Sequence, residues 1–324
     1  AAVKADGYGT DSKGVVARLA KAGCQDFFVA TWGEALALGS MPVGASLSVL
    51  HGVRKEDMEQ AVQSSARPVL CTEHQILRWK ETGLPCDVMV DTGMNRLGVS
   101  PEAVENGLLE GLKIDTIMSH LACADEDHPH NERQRRDFER LRARVHALRM
   151  SLANSAGICL GEGFHFDLTR PGLALYGGTP RIEAQGHIQQ VVFPEAQVVQ
   201  MRKVQQGEGI GYNHIYAAPR DMQIAILNLG YADGYLRAFS GFSIPEGGIG
   251  GGGGGGVRLN GHTGRVIGRV SMDLIAIGFD AEVSAQEGDW VSIDYDLTTA
   301  SRLSGLSPYE LLTGLGTRFD RIWL

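Results

Sequence analysis

Cysteine is scarce in this chain of 324 residues: Cys24, Cys71, Cys86, Cys123 and Cys159 are all it has. An odd count without C-x-x-C spacing excludes a closed disulfide framework and a thiolate zinc site, so buried free thiols are expected. No run of eighteen apolar residues occurs, which excludes a membrane-spanning helix of ordinary length. Positive charge is also thin, with a formal net charge of −8, and the one basic run, Arg133 to Arg149, reads as a solvated helix face. Nucleic acid is therefore not an expected partner. With no signal peptide ahead of the first apolar run, a cytoplasmic protein is expected. Neither a carboxylate cluster suited to a metal nor a Ser/His/Asp triad pattern stands out.

What is present is a chain long enough for two domains, with an ordinary 43% of apolar residues. From Ala1 to about Gly177, short apolar runs alternate with longer segments of helical period, the pattern of βα units. Strands are expected at 1–4, 27–31, 46–50, 68–71, 87–91, 116–121, 151–154 and 166–169. Amphipathic stretches such as 14–21 and 136–141 lie between them. Eight such units predict a closed (β/α)8 barrel of TIM type over 1–188. After about Gln189 the texture changes to short apolar runs with Gly-rich turns, as at 197–201, 224–227, 264–267 and 290–293. A mainly β C-terminal domain is expected over 189–324, with a short helix at 308–312.

The chain opens on Ala1-Ala2-Val3-Lys4, as if in mid-strand, so a missing N-terminal stretch is expected. An unbroken glycine run occupies 250–256 and is assigned no function.

In such a barrel, reactive groups gather where strands end. Lys4 closes the first expected strand, and Arg96 follows the fifth in Asp91-Thr92-Gly93-Met94-Asn95-Arg96-Leu97-Gly98. Ser119 and His120 lie on the sixth, Asn154 and Ser155 close the seventh, and Arg170-Pro171-Gly172 follow the eighth. One Lys, two Arg, one His and a Gly-containing turn at one mouth suit an anionic, covalently held cofactor.

Ala2-Val3-Lys4-Ala5-Asp6-Gly7-Tyr8-Gly9 resembles the lysine signature of the alanine racemases. In family order follow Asp91 to Gly98, Ser119-His120, Asn154-Ser155-Ala156, Arg170-Pro171-Gly172 through Leu175-Tyr176-Gly177, Gly211-Tyr212, Gly230 to Gly234, and Gly268 to Asp273. The resemblance covers nearly the whole chain. It implies a pyridoxal-phosphate enzyme of fold type III that interconverts L-alanine and D-alanine and supplies D-alanine for peptidoglycan.

By that resemblance Lys4 is the covalent anchor of pyridoxal 5'-phosphate and one catalytic base. Tyr212 is the second base, reaching the site from the other subunit of a homodimer with shared active sites, its phenolate stabilised by His120 with Arg170 behind. Arg170 faces the pyridine nitrogen. Tyr8, Asn154, Ser155 and the backbone of Gly172 and Leu173 belong to the cofactor site. Arg96 contacts the cofactor's phenolic oxygen and the substrate, and the Met272 backbone meets the substrate carboxylate. Tyr231 and Asp273 lie at the entrance or behind it. No metal is implied.

The chain departs from the family pattern in three places. Val90 stands where many members carry a carbamylated lysine, so Arg96 must be oriented otherwise. Thr317 aligns with a tyrosine that usually helps hold phosphate. The spacing from Tyr231 to Met272 is lengthened by an insertion that includes the glycine run.

Three other readings stay open. A non-catalytic pyridoxal-phosphate-binding protein shares the barrel and lysine, but such proteins generally stop after the barrel. A related decarboxylase of basic amino acids would use a C-terminal-domain cysteine, and none follows Cys159. A broad-specificity or serine racemase differs from an alanine racemase only in its pocket.

Overall fold

The computed structural model describes residues 1–242, 254–279 and 281–324, so the part of the glycine run at 250–253 lies outside the described residues. The chain divides into two compact units, Ala1–Ile188 and Gln189–Leu324.

In the first unit six strands form one parallel sheet in sequence order: β1 (Asp26–Val29), β2 (Ser46–Val49), β3 (Arg67–Leu70), β4 (Pro85–Met89), β5 (Lys113–Met118) and β6 (Ala147–Ser151). Their last three residues are buried almost throughout, as befits a parallel sheet covered on both faces. Helices cross between them. Thr31 and Glu34 form a capping box at the start of Trp32–Leu38, and Pro129 occupies the first turn of Pro129–Arg140.

Two of the eight expected strands are not regular strands. Residues 1–3 make a single parallel bridge, Ala2 to Phe28, because the chain turns sharply from Lys4 onward. The segment expected at 166–169 fails for a different reason: Phe166 has a positive φ of 52°, and Pro171, just beyond it, has no N–H to give a ladder. Hydrogen bonds nevertheless run round the gap. Leu168 N donates to Met150 O, Arg170 N to Ala153 O, and Ala2 N to Pro171 O at 2.8 Å. The result is a TIM-type barrel of six regular strands completed by two irregular segments.

The basic run at 133–149 is not one face. Arg135, Arg136 and Arg140 pair with Glu132, Glu139 and Asp137 along the helix surface, whereas Arg149 sits on β6 and spans Asp26 of β1 and Asp115 of β5. The cysteines are free, but only Cys71 and Cys86 are fully buried; burial pushes both thiols up to about 12.

The second unit is built on a closed antiparallel barrel. Its strands are β7 (Glu195–Val204), β8 (Gly209–Ile210), β9 (Tyr216–Ala217), β10 (Met222–Leu227), β11 (Gly256–Leu259), β12 (His262–Ile267), β13 (Ile275–Phe279) and β14 (Trp290–Ile293). The barrel order is β10-β13-β12-β11-β14-β7, with β8 and β9 pairing separately. Closure leaves no free edge among those six strands. Two helices follow: Leu297–Ser304, which the sequence did not suggest, and Pro308–Thr313, capped by Ser307. Among the described residues no helix is long and apolar enough to cross a membrane, and no group of His, Cys, Asp and Glu is placed to hold a metal.

Candidate active site

Lys4 stands at the start of an unusual turn. Ala5, Asp6, Gly7 and Tyr8 all have left-handed backbone angles, with φ of 52°, 52°, 62° and 55°. Three of these are not glycine, and each left-handed L-residue costs about 1–2 kcal/mol. Neighbouring bonds hold the turn: Ala5 N donates to Glu34 Oε1 at 2.7 Å, Ser12 N to Asp6 Oδ1 at 2.9 Å, and Thr10 Oγ1 to Gly7 O at 2.6 Å. The same Glu34 carboxylate accepts Ala30 N at 2.6 Å, tying the end of β1 to the Lys4 turn.

The turn brings Tyr8 back into the interior. Its ring stacks on Tyr176, centroids 4.4 Å apart, and Tyr176 donates to Ala2 O at 2.8 Å. A Cβ on Gly172 would overlap the Tyr8 hydroxyl, so only glycine permits this approach. Nearby, Ser155 Oγ accepts from Gly172 N at 2.9 Å and Ala174 N at 3.2 Å. Asn154 Oδ1 accepts Gly157 N at 2.8 Å, capping the short helix on which buried Ser155 stands. Leu173 is buried and opens the 3-10 turn after Gly172. Tyr8, Ser155 and Gly172 therefore form one small polar cradle.

Arg170 is buried and, among the described residues, has no carboxylate within ion-pair distance. It donates to Ser151 Oγ, to Ser119 O at 2.5 Å and to Leu152 O at 3.4 Å. Burial lowers its pKa to about 10, opposed by the charge of Asp87, so it stays charged at neutral pH. Burial and then Arg96 lower the pKa of Lys4 against the pull of Glu34. Burial, Arg170, Arg96 and Lys4 drive His120 down to about 3, which makes the imidazole neutral at pH 7. Arg96 is exposed on a loop pinched at its base by the Val90–Val99 bridge. The structure thus brings Lys4, Arg96, His120 and Arg170 within electrostatic reach of one another, and no ion pair among the described residues neutralises the three cations.

The remaining candidates belong to the second unit. Tyr212 is 65% exposed, on a turn where Gly211, Asn213 and His214 have positive φ. Gly211 lies beside the Arg269 backbone, three residues before Met272, which is 52% exposed. The Met272 carbonyl accepts Ala232 N at 3.0 Å, and Gly230 must be glycine because a Cβ there would overlap that carbonyl. Tyr231 lies under the Arg237 guanidinium, 5.0 Å from its ring centre. Asp273 and Asp233 share Arg318. These two exposed side chains, Tyr212 and Met272, contrast with the buried set of the first unit.

Sequence reasoning did not single out Ser151, the hydroxyl partner of Arg170, or Tyr176, the platform under Tyr8. It also passed over Gln134, whose buried side chain bonds to residues 92, 120 and 122. Charge at expected strand ends was the available signal, and Ser151 is an uncharged hydroxyl, while Tyr176 stands in a turn and Gln134 on a helix.

Comparison with known proteins places both units in one family. Residues 1–180 match the alanine racemase N-terminal domain and residues 191–323 the alanine racemase C-terminal domain. The chain is 39% identical to the catabolic alanine racemase of Mesorhizobium japonicum, covering 98% of this chain and 85% of that protein. It is 38% identical to the biosynthetic alanine racemase of Agrobacterium fabrum, covering 100% and 87%. Among solved structures it is similar to the alanine racemase of Bartonella henselae with covalently bound pyridoxal phosphate. There the TM-score is 0.87, at 34% identity and with 100% and 91% of the two chains covered.

Proposed function

The chain belongs to the alanine racemase family, and from that premise we propose that it interconverts L-alanine and D-alanine with pyridoxal 5'-phosphate held covalently by Lys4. One observation carries the reading: Lys4, Arg96 and Arg170 form a cationic site in which no ion pair among the described residues neutralises the charges, beside a cradle closed by Tyr8, Ser155 and Gly172.

These residues fit the cofactor. The Lys4 amine, its pKa lowered by burial, loses its proton more readily than a surface lysine and so can bond to an aldehyde. Ser155 accepts two backbone N–H bonds and has its own hydroxyl proton to give a phosphate, next to the Tyr8 hydroxyl and the backbone of Gly172 and Leu173. Asn154 fixes the turn that presents Ser155. When bound, pyridoxal phosphate supplies the electron sink that makes the α-proton of an amino acid removable.

The protein's own groups then decide the outcome. Racemisation needs a base on each side of the substrate α-carbon, and the assigned pair is Lys4 Nζ and Tyr212 Oη. Tyr212 comes from a second copy of the chain, a reading supported by its exposure and that of Met272. A neutral His120 beside charged Arg170 is suited to steady the tyrosine oxygen when it gives up its proton. Arg170, charged at neutral pH, would stand at the pyridine nitrogen of a bound cofactor and keep it unprotonated, which would restrain side reactions such as transamination. Arg96 and the Met272 backbone orient the substrate carboxylate, with Tyr231 and Asp273 around the entrance. The homodimer is cytoplasmic on this reading.

A chiral assay of the purified protein with L-alanine, D-alanine and L-serine, with and without added pyridoxal phosphate, tests the proposal. Exchange of the alanine enantiomers that rises with added cofactor is expected. Cofactor binding without exchange would favour a binding protein, and faster exchange of serine would reassign the substrate.

A further inference from the structure

Arg96 and His120 present a problem of support. Neither side chain makes a hydrogen bond to a described residue that would fix it, so each depends on the backbone beneath it. Val90, at the base of the Arg96 loop, is fully buried and apolar and offers no polar support.

The support comes from the helix Pro129–Arg140. Its inward face buries Asn131, Gln134 and Phe138, and Gln134 is fully enclosed. Gln134 Oε1 accepts Ala122 N at 2.9 Å, while Nε2 donates to His120 O at 3.0 Å and to Thr92 Oγ1 at 3.3 Å. One amide therefore binds both the segment that carries His120 and the loop that carries Arg96. Thr92 Oγ1 in turn lies 2.8 Å from Ser119 Oγ, and Ser119 O accepts from Arg170.

One turn earlier on the same face, His130 Nε2 lies 2.9 Å from Gly93 O. Arg133 can only donate, and it bonds to His130 Nδ1, so the ring proton sits on Nε2 and points at that carbonyl. Gly93 has a φ of 129°, and a Cβ there would meet the His130 ring at 2.8 Å. Positions 130 and 134, spaced four apart, thus grip consecutive residues of one loop.

We propose that Gln134, assisted by His130, is a positioning residue that sets Arg96 and His120 for the reaction through the Thr92 hydroxyl, the Gly93 carbonyl and the backbone of 120–122. The inference rests on the racemase reading. An apolar residue at 134 could fill the space, but it would leave the Ala122 N–H and the His120 carbonyl without these partners in a partly buried setting.

A double-mutant cycle on the full-length protein tests it, with Gln134→Met in the natural background and in an Arg96→Lys background. Misplacing a reactive group by about 1 Å costs up to about a hundredfold in rate. Gln134→Met is therefore expected to lower kcat by about tenfold or more alone, and by a clearly smaller factor once Arg96 is already replaced, the remainder being the share carried through His120. Equal losses in both backgrounds would show that Gln134 does not act through Arg96 and would overturn the proposal that it sets the two residues together. The visible circular dichroism of the bound cofactor gives a readout without turnover: it should change in Gln134→Met, and an unchanged spectrum would also count against positioning. Should Gln134→Met fail to fold, His130→Leu, at a partly exposed position, should show the same dependence on Arg96, and additivity there would overturn it. If the natural chain binds cofactor but exchanges no alanine, the racemase reading fails, while the circular dichroism arm still decides whether Gln134 orients the site.

Discussion

Gly172 lies directly against Tyr8: a Cβ at 172 would overlap the tyrosine hydroxyl and stand 3.0 Å from the ring carbon that bears it. Gly172→Ala must therefore push Tyr8 off its stack on Tyr176 or move the 172–174 turn away from Ser155. Pyridoxal phosphate affinity, measured by titrating cofactor-free protein, is expected to fall about tenfold or more, the loss of one good charge-assisted bond. Unchanged affinity would place the phosphate elsewhere.

Strain in the turn after Lys4 gives a second prediction. Ala5 has a φ of 52° and its side chain is exposed, so Ala5→Gly removes a left-handed penalty without opening a cavity. Set against the greater freedom glycine gives the unfolded chain, the net gain is about 0.5–1 kcal/mol. A rise in the urea midpoint checks it, and a fall would mean that the turn is not strained.

His120 links stability to pH. Its folded pKa is about 3, below the ordinary 6.5, so the unfolded chain takes up this proton first. Its contribution is full above pH 6.5 and is lost as pH falls from there toward about 3. In the cofactor-free protein, His120→Gln should flatten that limb of the stability curve, by on the order of a few kcal/mol at its foot. Parallel curves for the two proteins would exclude a depressed His120.

Tyr212→Phe separates the two proposed bases. With Lys4 intact, one direction of α-proton removal should survive better than the other. Exchange of the α-proton in deuterated water, followed separately from each enantiomer, should become unequal by about a hundredfold or more. A small loss, equal from both sides, would remove Tyr212 from the base role.

Much of this was legible in the sequence, and the exceptions have physical causes. β1 to β5 stand out because each is a short apolar run followed by a helical period, whereas β6, interrupted by Arg149, shares only Ser151 with the strand expected at 151–154. The segment at 166–169 looked like another such run, and only the backbone shows the positive φ of Phe166 that breaks its ladder. Lys4, Arg96, His120 and Arg170 could be picked out because charge at a barrel strand end is conspicuous. Arg149 misled because it follows helical arginines in sequence while its side chain turns to Asp26 and Asp115 on other strands. Gln134 was invisible for a related reason: its partners at 92, 120 and 122 are brought to it only by the fold.

The central claim is that Lys4 is the residue bonded to the cofactor. Borohydride treatment of the protein with pyridoxal phosphate, followed by peptide mass mapping, tests it most directly. The added phosphopyridoxyl mass is expected on the peptide containing Lys4, and Lys4→Ala is expected to lose both that label and alanine racemisation. Label on a different lysine, or racemisation that persists in Lys4→Ala, would contradict it.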